Sequence, residues 1–389
     1  MRQIGQADPD LLRRHVAALA QEPRGRRHAP GAMAAAEAYV TGELESAGWE
    51  VFREPFHAGL RLGSTDRHGR RAMPLKVRLH RGLSGANLRA ERRGAGTGAG
   101  AGSAAGSAAG AAAGTAVGDA AGFAAGAAAG PGDAGGPAAG PGAPAGSAAS
   151  GAPPPTLVIG AHLDTVQGSP GADDNASGVA VVLEVARLLG ALAEPPPVTL
   201  MIFDMEELGL IGSREAVKRL LRAHRVVGGM ICLESVGYFS TEPGSQYLPP
   251  GARLAIPEAV DRVRRSGRRG DFTLIVHRTS SRGLAETWSR AAAEATPALP
   301  TVLLRDPRPD GRVGATLGPA VPVLNNLDRS DHSPFWNRGI PALMLTGTAN
   351  FRNAQYHRPG DTPDTLDYGR LAAVARATAA TAAAWPDLE

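Results

Sequence analysis

The sequence predicts a single α/β domain, with a mostly parallel central sheet flanked by helices on both faces. Three observations predict it. Apolar runs such as "LVIGAHLD", "VTLMIFDME" and "GGMICLES" alternate with amphipathic stretches of helical length, the pattern of a parallel sheet sandwiched by helices. Histidines and acids gather where those runs end, and open α/β sheets place their ligand crevices at the carboxyl ends of strands. The one stretch with neither pattern, residues 94–155, is almost entirely Ala, Gly, Ser and Pro and separates cleanly from the rest.

Taken in order, "DLLRRHVAALA" and "GAMAAAEAYVTGELESAG" carry apolar residues at helical spacing, and Gly48 closes the second. "WEVFREPF" reads as the first strand. "GANLRAERRG" and "PTLVIGAHLD" read as strands on either side of the Ala/Gly stretch, which would then replace a hairpin turn. Helix "NASGVAVVLEVARLLGALA", strand "VTLMIFDME", helix "GSREAVKRLLRAH" and strand "GGMICLES" follow. Residues 238–262, with Pro and Gly throughout, read as a loop over the functional edge of the sheet. Strand "FTLIVHR", helix "LAETWSRAAAEA", strand "TVLLRD", the short helical "SDHSPFWNRG", strand "PALMLTG" and a closing helix over 368–385 complete the chain. Residues 1–93 thus supply the N-terminal helices and first strands, 94–155 a low-complexity disordered insert, and 156–389 the remainder of the domain.

Bulk composition excludes several classes. The 389 residues carry a net charge of +4, yet lysine occurs only at Lys76 and Lys218, so the excess is arginine and matches the glut of Ala, Gly and Pro. The densest basic cluster, "RVRRSGRRG", lacks interleaved aromatics and reads as a solvated face, so no nucleic-acid partner is expected. Cys232 is the only cysteine, which excludes an internal disulfide. The N-terminus has no apolar h-region, and no stretch is apolar enough to span a membrane; a cytoplasmic location is the expectation. The glycine at every fourth position from Gly98 to Gly130 mimics a membrane helix-pairing motif, but Ala and Gly bury too little apolar surface to insert.

The candidate chemistry lies at strand ends. "AHLD" offers His162 and Asp164, "GADDNASG" Asp173 and Asp174, "MEEL" Glu206 and Glu207, "CLES" Glu234, and "QYHRPGD" His357. Singly each has a plain explanation: acids before "NASG" can cap a helix, and paired glutamates can open one. Glu234 inside an apolar run is harder to explain, because a buried unpaired carboxylate is costly and no Lys or Arg is near it in sequence. Two imidazoles with three or more carboxylates suit zinc, and a carboxylate shared by two ions makes a two-metal hydrolytic centre. Adjacent residues at a strand end point in different directions, so one of Glu206 and Glu207 can bind metal while the other handles protons.

The ordered set "GAHLDTV", "PGADDNASGVAVVLEVAR", "FDMEELGLIGS", "ICLESVGY", "RSDHSPFWNRGIPALMLT" and "YHRPGDTPDTLDY" resembles the M28 family of zinc aminopeptidases over the whole chain outside the insert. The resemblance implies the zinc-dependent exopeptidase fold, two Zn2+ per chain, and peptide substrates with a free N-terminus. By motif, His162 and Glu234 would hold one zinc, Glu207 and His357 the other, and Asp174 would bridge them. Glu206 would be the general base and Tyr356 would stabilise the oxyanion. Asp164 would orient His162 from behind, Asp331 would sit near the centre, and His332 would be structural. A cis peptide bond between Asp174 and Asn175 is also implied. Many relatives have Asp where Glu234 stands, and the Ala/Gly insert has no counterpart in the family.

Three rivals differ in specific residues. M20 carboxypeptidases and deacylases place their bridging aspartate much further from the histidine than Asp174 is from His162. Glutaminyl cyclases carry tryptophan where Tyr356 lies. A metal-free binding module on the same fold would not need all five ligands together with Glu206. No G-x-S-x-G elbow, H-E-x-x-H helix or P-loop occurs in the sequence. Side-chain preference is not legible: Phe335, Trp336 and the loop from Tyr238 to Pro250 suit either an apolar pocket or the core.

Overall fold

The computed structural model describes residues 3–65, 76–92, 154–317 and 322–387, so nearly all of the stretch expected to form the insert lies outside the described residues. Helices α1 (Pro9–Leu19) and α2 (Pro30–Ser46) come first. Asp8 caps α1 by accepting the amides of Asp10 and Leu11, and Gly48, at φ 83°, ends the turn after α2. Strands β1 (Glu50–Ala58), β2 (Arg61–Thr65), β3 (Lys76–His80) and β4 (Leu83–Glu91) follow. Then come β5 (Thr156–His162), α3 (Gly178–Gly190), β6 (Val198–Phe203), α4 (Ile211–Arg222), β7 (Val227–Glu234), α5 (Ala252–Ala255) and α6 (Pro257–Arg265). The chain closes with β8 (Thr273–His277), α7 (Arg282–Ala293), β9 (Thr301–Arg305), α8 (Arg312–Leu317), α9 (Ser333–Trp336), β10 (Ala342–Thr346) and α10 (Tyr368–Ala383).

Eight strands form one sheet in the order β1-β4-β6-β5-β7-β10-β8-β9, and β2 pairs with β3 as a separate hairpin. The β6-β5-β7-β10 centre is parallel. Side chains alternate between two cores, as strand geometry dictates. Leu157, Ile159, Leu200, Ile202, Ile231 and Leu233 face one apolar cluster with α1, α2, α3, α7 and α10. Val158, Met201, Phe203, Met230 and Cys232 face the other, under α4, α6 and α9. Phe335 and Trp336 are fully buried in this second cluster, so of the two roles open to them they take the core.

Two expectations need correction. β4 and β5 do not form a hairpin: β6 lies between them, antiparallel to β4 and parallel to β5. Propensity identifies both strands, but pairing is decided by which faces both cores can cover. Within the mostly parallel sheet, β8 and β9 run against the central strands, because β8 pairs antiparallel with β10. The 238–262 segment is not all loop, since α5 and most of α6 fall inside it, the latter opened by Pro257 at its first position.

β5 is the switch point of the sheet, with β6 on one side and β7 on the other, where crevices form in doubly wound sheets. His162 pairs with Phe203 at the ends of β5 and β6, and Glu234 with Thr346 at the ends of β7 and β10. The sheet therefore delivers His162, the 204–210 loop and Glu234 to one edge.

Candidate metal centre

His162 ends β5, and its Nδ1–H donates to the Asp164 carbonyl at 3.0 Å. That bond turns Nε2 outward, 3.2 Å from Asp174 Oδ1 and 3.5 Å from Glu234 Oε2. Across the same carboxylate, Asp174 Oδ2 lies 2.9 Å from His357 Nε2, which in turn is 3.2 Å from Glu207 Oε1. Two buried triads result, His162–Asp174–Glu234 and Asp174–Glu207–His357, with Asp174 common to both. All five candidate ligands named from the sequence meet here.

Each arm has its own support. Asp174 follows Gly171, which adopts φ 62° and where a Cβ would come within 2.2 Å of the Asp174 carbonyl, so glycine is required. The Asp174–Asn175 peptide is cis. Asn175 ties this turn to β7, donating to the Leu233 carbonyl at 2.8 Å and accepting the Ser235 amide at 3.1 Å. Glu234 is held at both oxygens: Ser235 Oγ donates to Oε1 at 3.1 Å and Ser330 Oγ to Oε2 at 2.7 Å. Met205, Ser235 and His357 adopt φ of 57°, 49° and 59°, a conformation that costs a non-glycine residue about 1–3 kcal/mol and clusters at functional sites.

Asp164 meets His162 with both of its groups: its carbonyl accepts the Nδ1–H at 3.0 Å and its Oδ1 lies 3.8 Å from the same nitrogen, while the carboxylate also accepts the amides of Glu206 at 3.0 Å and Glu207 at 3.2 Å. One buried acid thereby shapes the loop that carries both glutamates. Met205 and Ile211 seat the same loop in a small apolar cluster with Ala58 and Leu83.

The electrostatics are those of crowded acids. Burial pulls the two imidazoles down, but the carboxylates outweigh it: His162 rises well above its ordinary value beside Glu234, and His357 rises to about 10 beside Glu207 and Asp174. Asp174 falls, since the two histidines close beside it outweigh burial. Glu206 belongs to neither triad; burial pushes it well up, opposed by His162 and reinforced by Glu207, Glu234 and Asp331. Fully buried Asp331 is pushed up to about 7 by burial, against His162, with Glu234 and Glu207 adding. The Tyr356 ring stacks on His357 with centroids 3.8 Å apart, and burial with nearby Asp174 holds its hydroxyl well above the usual value. His332 points away from the centre, its Nε2 2.9 Å from the Leu327 carbonyl and its ring edge-on to Trp336.

A divalent ion fits this donor set. His162 Nε2, Asp174 Oδ2 and Glu207 Oε1 are buried and without a hydrogen-bond partner among the described residues, a costly state unless a cation satisfies them. Imidazole and carboxylate together suit zinc. The sequence reading missed Arg24, Ser330 and Asp361. Arg24 lies far from every motif, whereas Ser330 and Asp361 stand inside motifs but on turns, where no apolar run marks them. An apolar cavity of about 120 Å³ adjoins the centre. Glu234 and Tyr356 line it together with Tyr247, Leu248, Phe272 and Met344.

An α/β sheet whose switch-point edge carries two triads sharing one carboxylate defines a metallohydrolase-like centre. The model of peptidase family M28 matches residues 145–275 and 312–382, and the chain belongs to that family. The uncharacterized protein YfbL of Escherichia coli is 36% identical over 231 residues, which is 57% of this chain and 64% of YfbL. Aminopeptidase YwaD of Bacillus subtilis is 43% identical over 67 residues, 17% of this chain and 15% of YwaD. The matches therefore span less than two thirds of each relative. The fold is also that of BSAP, a zinc aminopeptidase from Bacillus subtilis, with TM-score 0.57 and 15% identity over 100% of this chain and 97% of that one. Among the described residues, no helix is long and apolar enough to cross a membrane.

Proposed function

We propose that the chain is a zinc-dependent aminopeptidase that removes the first residue from peptides with a free amino end. The observation that carries this reading is the shared carboxylate: Asp174 presents one oxygen 3.2 Å from His162 and the other 2.9 Å from His357. His162, Asp174 and Glu234 would hold one zinc, and Asp174, Glu207 and His357 the second. Bound there, zinc supplies Lewis acidity toward a carbonyl and makes water more acidic. Glu206 takes the proton from the attacking water and returns it to the departing amine, a task suited to a carboxyl whose pKa is raised. Tyr356, kept protonated, donates a hydrogen bond to the carbonyl oxygen as that oxygen gains charge. Glu206 and Glu234 also suit the substrate's ammonium group, which favours a free amino end. The adjoining cavity suits an apolar first side chain. Membership of family M28 and the partial match to an aminopeptidase support the same reading.

The test is a panel of aminoacyl-4-nitroanilides beside N-blocked peptides, with and without chelator. Hydrolysis of the free-amine substrates only, lost to chelator and restored by zinc, is expected. Cleavage of blocked peptides, or indifference to chelator, would contradict the proposal.

A further inference from the structure

Two buried acids of the centre, Asp173 and Asp361, belong to neither triad. Asp361 gathers three successive amides of the turn that leads to Asp174. Its Oδ1 accepts the Asp173 N–H at 2.9 Å, its Oδ2 the Asp174 N–H at 3.2 Å, and its carbonyl the Ala172 N–H at 3.1 Å. Its own N–H donates to the Arg358 carbonyl at 3.1 Å, one residue from His357. Asp173 extends the connection: its Oδ1 accepts the amides of Gly237 at 2.8 Å and Tyr238 at 3.0 Å, and its Oδ2 the Asn353 side-chain amide at 3.2 Å. Those partners lie just after Glu234 and just before His357. From the carbonyl side, fully buried Arg24 donates to Pro170 at 2.8 Å, Gly171 at 3.1 Å and Leu163 at 2.9 Å.

We infer that Asp361 is a positioning residue for the whole centre: its carboxylate fixes the turn bearing Asp174 against the loop bearing His357, and so sets both triads at once. The inference rests on the two-zinc reading above. A helix-capping acid would also gather amides, but its loss would lower stability alone. Asp361 differs because the residue it pins is common to both triads, so any displacement reaches both. Ser330, by contrast, reaches a residue of one triad alone, Glu234.

The experiment compares wild type, Asp361→Asn and Ser330→Ala in chelator competition for zinc, with the unfolding midpoint of each metal-free protein measured alongside. Asp361→Asn keeps the shape but sets an amide NH2 against one of the two backbone N–H groups. Supporting-residue changes of this kind weaken metal binding by about 10- to 100-fold, and here both zinc equivalents should weaken. Ser330→Ala should weaken one. A lowered midpoint with wild-type affinity at both sites, or weakening confined to one site in Asp361→Asn, overturns the inference and leaves the two-zinc reading intact. A wild type that binds no zinc removes that reading and the inference with it. Should Asp361→Asn not fold, Asp361→Glu keeps both acceptors on a longer arm and carries the same expectation, with wild-type affinity at both sites as the contrary result.

Discussion

Replacing Glu206 with glutamine isolates the proton-handling step from metal binding. Glutamine preserves size and removes the basic oxygen. Glu206 is in neither triad, and its backbone N–H is held by Asp164 Oδ1 at 3.0 Å regardless of the side chain. The loop and Glu207 should therefore keep their places. Proton transfer by a positioned side chain contributes roughly 10²–10⁴-fold, and at about 1.36 kcal/mol per decade the barrier should rise by about 3–5 kcal/mol. The assay is kcat on leucyl-4-nitroanilide for wild type and variant at matched zinc content. The expected variant holds as much zinc as wild type and turns over at least a hundredfold more slowly. A kcat within tenfold of wild type at equal zinc would refute the role given to Glu206, and loss of zinc would show that it is a ligand instead.

Other perturbations test separate parts of the account. His332 is fully buried and held down at about 4, mainly by burial, against an ordinary value of 6.5. Between those values the unfolded chain binds the extra proton, so stability should be full above about pH 6.5 and fall by about 3 kcal/mol as pH drops toward 4. His332→Gln should flatten that slope in urea unfolding of the metal-free protein, though not abolish it, because His15 is lowered to about 4 as well; an unchanged slope would contradict the assignment. Ser330→Ala removes a hydroxyl 2.7 Å from Glu234 Oε2, a hydrogen bond to a charged group worth about 1.5–3 kcal/mol. One zinc equivalent should weaken by about tenfold or more in chelator competition while the other keeps wild-type affinity. His357, lowered by burial but raised further by Glu207 and Asp174 to about 10, is protonated at neutral pH without metal, so zinc must displace that proton. Affinity should rise with pH, and adding zinc chloride to metal-free protein at pH 7 should release acid in a pH-stat; no release would contradict the pairing.

The candidate site residues and the strands that carry them were legible because one sequence feature encodes both. His162, Glu206, Glu207 and Glu234 each follow an apolar run, so the same residues that bury a strand place its last side chains at the sheet edge. Asp174 and His357 lie on turns; both stood out as candidate ligands, but their places, Asp174 as the bridge and His357 with Glu207, came only with the motif resemblance. Pairing partners were not legible: β4 and β5 look like neighbours in sequence, but β6 separates them, a choice made by burial across the whole sheet. The place of Asp164 beside His162 was visible, but its hold on the amides of Glu206 and Glu207 was not. Arg24 was invisible, because a buried guanidinium capping backbone carbonyls has no local sequence pattern.

The most direct measurement is a zinc titration of chelator-stripped protein, with bound metal and hydrolysis of a free-amine substrate followed on the same samples. Activity should return with zinc and level off near two equivalents per chain, and His357→Ala should bind less. Full activity in stripped protein, or a wild type that takes up no zinc, would contradict a two-zinc centre.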